Sequence, residues 1–187
     1  MHYFMYRRAM LAMCVILFFD HHSLLGQQIP SVIISPTYDS ILVSQVEASQ
    51  NPFNGGVVIH LKFLNQYTKK IKLHFNIGGY EGLGLKDDKG VKYKIFTNSD
   101  AVGTNGINDG FKPVAAVKFG ASAFKYFTYV EQDLVSKEEK TFTIQLDKVD
   151  KKVQSIKALY LRCILSIDYG QVGDKTYMIE NIPVTRK

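Results

Sequence analysis

The 187-residue chain has no tryptophan, only two cysteines and five prolines, and no apolar run longer than eleven residues. Each shortage excludes something. Two cysteines cannot form a disulfide framework, and neither has a CxxC partner to suggest a zinc or redox motif. An eleven-residue apolar run cannot cross a bilayer as a helix, which takes about 20 residues. Without tryptophan the commonest sugar-stacking side chain is missing. Charge of one sign is not in extreme excess: 23 Lys and Arg against 17 Asp and Glu leave a formal +6.

What is there begins with an address. Arg7 and Arg8 precede the apolar run Ala9 to Phe19, and Asp20, His21 and His22 stop it at once. A basic start, a short apolar segment and a small residue downstream make a secretory signal. Cleavage after Gly26 would leave Gln27 as the first residue. Cys14 follows the bulky Met13 and precedes five more apolar residues, so it reads as one hydrophobe in a discarded helix and not as a lipid attachment site. Residues 1–26 are therefore expected to be a signal peptide, residues 27–38 ("QQIPSVIISPTY") an extended lead-in, and residues 39–187 a single domain. The expected location is extracytoplasmic, either periplasmic or secreted.

Periodicity in the remainder is almost everywhere two, the spacing of a half-buried strand. In "GVVIHLKFLNQ", Val57, Ile59, Leu61 and Phe63 share one face, while His60 and Lys62 take the other. In "KIKLHFNI", Ile71, Leu73, Phe75 and Ile77 alternate with Lys72, His74 and Asn76, and the two segments read as a hairpin turning near Gln66 to Lys69. "GLGL" and "VKYKIF" flank the turn "KDDKG", where Gly90 can take positive φ. Further strands are predicted at 40–48, 114–119, 124–130, 140–147, 156–168 and 176–184, and "VEQDLVSKEEK" at 130–140 reads as a helical turn or charged loop. Eight or nine strands, each with one apolar face, predict an all-β, antiparallel two-sheet sandwich.

Candidate chemistry is sparse. The two histidines beyond the signal, His60 and His74, fall on the polar faces of the predicted hairpin, and a zinc site needs at least three protein ligands. Cys163 alternates with Leu159, Leu161, Leu165 and Ile167 on one face and is expected in the core, away from redox or nucleophilic work. The glycines of "IGGYEGLGL" lead into a strand, not into the helix a dinucleotide site needs. Asp87 and Asp88 are adjacent, so on a strand they point apart and make a poor acid–base pair. The polar stretch "TNSDAVGTNGINDGF" (97–111) lacks the alternate-residue ligand spacing of a calcium loop. It is instead the predicted contact surface, with Tyr80, Asp100, Asn105, Asn108 and Phe111 as partner-contacting residues.

The hairpin triad Asp87, Gly90 and Tyr93, with the closing strand "YMIENIPV" at 177–184, resembles the immunoglobulin-like β-sandwich modules of exported bacterial proteins, over roughly residues 38–187. The resemblance implies an immunoglobulin-like sandwich and an extracytoplasmic life, and no catalytic residues. The expected function is thus a non-enzymatic module, without cofactor or metal, that binds an envelope or extracellular protein. The alternative is binding of carbohydrate or lipopolysaccharide, for which the basic surplus and 23 Tyr and Phe residues speak (11 and 12). A secreted hydrolase ranks third. Nucleic acid is not expected, since no arginine-rich cluster or recognition motif is present.

Overall fold

In a computed structural model of the chain, the described residues are 31–51, 54–96, 110–125, 129–147, 149–168 and 170–186, without the side chain of Tyr80. The expected signal peptide and the beginning of the lead-in lie outside them. Eleven strands run through the described residues: β1 (Ile33–Ser35), β2 (Ile41–Gln50), β3 (Val57–Asn65), β4 (Ile71–Asn76), β5 (Leu83–Asp87), β6 (Lys92–Lys94), β7 (Phe111–Phe119), β8 (Tyr129–Leu134), β9 (Glu139–Leu146), β10 (Ser155–Ile167) and β11 (Gly170–Thr185). One helical turn, α1 (Gly79–Gly82), joins β4 to β5.

The alternation does what its period demands. Along β3, Val57, Ile59, Leu61, Phe63 and Asn65 are buried and the residues between them are half-buried. β10 and β11 follow the same rule: Cys163 and Tyr177 point inward, and Arg162 and Met178 outward. Four phenylalanines and a tyrosine meet at the centre. Phe75 has its ring 4.9 Å from Phe63, 5.0 Å from Phe119 and 4.7 Å from Phe142, and Tyr177 stands edge-on to Phe63 at 5.5 Å. These side chains occupy the interior that an eight-stranded barrel leaves for packing.

The sandwich expectation is overturned by the pairing. Hydrogen bonds run from β10 to β11, β2, β3, β9, β7, β6 and β5, and from β5 back to β10. Eight strands therefore close into one barrel, with no break into two sheets. Two parallel joints make the closure. At one, Val184 and Thr185 of β11 lie beside Ala48 and Ser49 of β2; at the other, Lys92 to Lys94 of β6 lie beside Phe111 to Pro113 of β7. Neither is a hairpin, and a period-two pattern carries no mark of either.

Three strands are not members of this closed pairing circuit, although β4 turns Ile71, Leu73 and Phe75 into the same core. β4 continues the line of β5 along β10, β8 covers the outer edge of β4, and β1 pairs with Met178 to Glu180 of β11. Part of the lead-in is thus a strand. Tyr38, between β1 and β2, fastens this segment to the barrel: its hydroxyl donates to Thr176 O at 3.1 Å and accepts from Thr176 N–H at 3.2 Å, and its ring meets Tyr177 edge-on at 5.2 Å.

Two local expectations also change. β3 and β4 are not a hairpin: β3 pairs with β2 and β9, and β4 with β10 and β8. The charged stretch after Tyr129 is strand β8 as far as Leu134, with Val130 and Leu134 buried; its Glu131 meets Lys72 of β4, and its Asp133 meets Lys70 just before β4. Cross-strand ion pairs, not helix-forming spacing, account for its charges.

Candidate functional site

Of the five predicted contact residues, Asp100, Asn105 and Asn108 lie outside the described residues, as does the side chain of Tyr80. Gly79 N–H donates to Ile95 O at 2.9 Å, and Gly78 forms a bridge with Ile95, so α1 leans on the end of β6. Phe111 opens β7 opposite Lys92. The fold therefore gathers the turn that carries Tyr80, Phe96 and Phe111 around one short strand, from both flanks of residues 97–109.

That strand supplies residues which the sequence pattern alone does not single out. Lys94 is 7% exposed. Its Nζ lies 5.0 Å from the centre of the Phe96 ring and 4.9 Å from that of Phe111. Lys92 Nζ reaches Phe111 at 5.6 Å. A buried ammonium is tolerated when ring quadrupoles face it, an attraction worth roughly 0.5–2 kcal/mol per ring. A trace of the arrangement is present in "VKYKIF": Lys92, Lys94 and Phe96 share a face at period two, opposite Tyr93 and Ile95.

The Asp87–Gly90–Tyr93 triad has a structural explanation. Asp87 Oδ1 accepts from the backbone N–H of Lys89 and of Val91, both at 2.9 Å. The Tyr93 hydroxyl donates to Asp87 Oδ2 at 2.8 Å within the core. Gly90 sits at φ +84°, where a side chain would be strained. Burial, then the bond to Asp87, raises the Tyr93 phenol above its ordinary range, so it stays a donor. Asp88 is employed locally too, its Oδ2 accepting from Gln154 N–H at 2.9 Å. The two carboxylates hold backbone.

The histidines stand apart, because their strands do not pair. His60 Nδ1 is 3.2 Å from Thr143 Oγ1, while His74 stacks on Tyr129 at 4.5 Å and reaches Glu131 at 3.2 Å. Among the described residues no group of three or more His, Cys, Asp or Glu side chains could hold a metal ion. Cys163 is fully buried, and burial pushes its thiol up to about 12, far from a reactive thiolate. A cleft of about 590 Å³ on the outer face is lined by Lys70, Ile71, Lys72, Asp133, Ser166 and Asp168. Its charges are already matched: Lys70 meets Asp133 and Lys69 meets Asp168, each at 2.7 Å. The Lys70 hydrogen bond in turn holds the Asp133 carboxyl below its usual range.

No protein-family model matches this chain, and no curated protein matches it either. No helix among the described residues is long and apolar enough to cross a membrane.

Proposed function

We propose that this chain is an exported, non-catalytic binding module that contacts an envelope or extracellular protein through the barrel face around β6. Residues 1–26 direct export, and the barrel carries the contact surface. The observation that supports the reading is Lys94 lodged between Phe96 and Phe111, one residue on each flank of 97–109. A barrel whose interior is filled by its own aromatic side chains has little room for a ligand inside, which favours its outer surface and its connections. Hot spots in protein interfaces favour aromatic anchors over flexible aliphatic charges.

The test is cross-linking of the full chain in its exporting host, followed by recovery through a C-terminal tag. One or two defined protein partners are expected, lost on Phe96→Ala or Phe111→Ala and kept on Lys62→Ala across the barrel. N-terminal sequencing of the recovered chain should begin at Gln27. Recovery with the leader intact, or partners indifferent to both phenylalanines, would refute it.

A further inference from the structure

Across the barrel wall, three exposed lysines fall on three successive strands. Lys86 of β5 is directly opposite Lys92 of β6. On the other side of β5, Lys86 pairs with Ala158 of β10, and Lys157 occupies the irregularity between Ile156 and Ala158. Phe111 of β7 ends the row opposite Lys92. Like charges directly opposite one another in a sheet repel. Elsewhere among the described residues charges are matched across strands: Lys62 meets Glu139, Lys70 meets Asp133, Lys72 meets Glu131 and Arg162 meets Asp174. Along the row no ion pair forms among the described residues: Lys157 binds the neutral Asn181 side chain at 2.9 Å, Lys92 lies against a phenyl ring, and Glu180, in register beyond Ala158, bounds the strip on the β11 side without pairing with these lysines. Lysines often guard open sheet edges, but β5 and β6 have both edges paired, so that role does not apply.

We propose that Lys157, Lys86 and Lys92 form a binding strip for an acidic polysaccharide. The proposal goes beyond the protein-partner reading and adds a ligand chemistry for the same wall. Adjacent strands place the lysine roots about 5 Å apart, comparable with the length of one pyranose. Successive acidic sugars can then meet successive ammonium groups. A lipid surface fits less well, because the exposed large apolar residues, such as Ile33, Leu42, Val172 and Met178, belong to other strands.

The experiment uses the full chain on immobilised heparin as the acidic polysaccharide, with anionic phospholipid vesicles as a second arm. Lys86→Glu should elute at lower salt than the parent, and the slope of log affinity against log salt should fall by about one or more. Because that change replaces a repulsive pair with an attractive one, the midpoint of thermal unfolding should hold or rise by about 1–4 °C. Lost binding in a more stable variant cannot be misfolding. Lys92→Gln should weaken retention with fold intact, whereas Lys70→Glu, which changes net charge as much as Lys86→Glu does, should affect it less. Equal loss in Lys70→Glu, unchanged elution in both strip variants, or binding to vesicles alone would overturn the proposal. A failed cross-linking with heparin retention intact would end the protein-partner reading and leave the strip standing.

Discussion

The hydrogen bond between Tyr93 and Asp87 offers the sharpest test of how this barrel is held. Both residues are essentially out of solvent, Tyr93 at 0% and Asp87 at 1% exposure. Tyr93→Phe deletes one oxygen and leaves the ring packed, so the cost is that of a bond to a charged acceptor, about 1.5–3 kcal/mol. For a domain of this size the unfolding midpoint should fall by about 3–12 °C. Asp87→Ala should cost more, since the backbone N–H groups of Lys89 and Val91 lose their acceptor as well. The double variant should recover most of the Tyr93→Phe penalty, because the phenol has nothing left to donate to. Urea unfolding followed by circular dichroism gives all four corners of the cycle. A Tyr93→Phe variant within about 0.5 kcal/mol of the parent, the scale of an ordinary surface change, would refute the argument.

Phe75→Ala empties the centre of the aromatic cluster and should lower stability by about 3–5 kcal/mol in the same urea assay. Gly56→Ala should prevent stable folding, since its Cβ would fall 2.1 Å from the Leu146 carbonyl oxygen, a backbone atom held by the β3–β9 pairing; a soluble variant with parental melting would contradict that geometry. Alkali should destabilise the fold. Tyr93, Tyr177 and Cys163 all titrate higher folded than unfolded, chiefly through burial. Their contribution is complete below the unfolded values, about 8.5 for the thiol and 10 for the phenols. It is lost as pH rises through the folded ones, about 12 for Cys163. Urea midpoints that stay flat from pH 8 to 12 would count against it.

Much of the fold is legible in the residues themselves. The alternation in "GVVIHLKFLNQ" and "ALYLRCILSI" identifies both the strands and their inward sides, because burial acts on each strand face wherever the strand sits. The turn at Asp87 and Gly90 is equally plain, being local chemistry. The candidate contact surface is legible only in part: Phe111 stands out at the end of a polar stretch, while Lys94 reads as one lysine of a solvated face. Its burial depends on Phe96 and Phe111 coming from either side, and that meeting requires β6 and β7 to pair across residues 97–109.

Strand facing and the Asp87–Gly90 turn are thus legible in the sequence, since each depends on interactions within a few residues, whereas β1 and most of β8 are not. Partnership is decided only by the tertiary structure. Val184 would be buried at the same period in a sandwich or in a barrel; its place beside Ala48 is what closes the ring. The same holds for Lys86 and Lys92, whose opposition arises from the register of β5 on β6. A period of two says which way a side chain points, and says nothing about which strand lies alongside it.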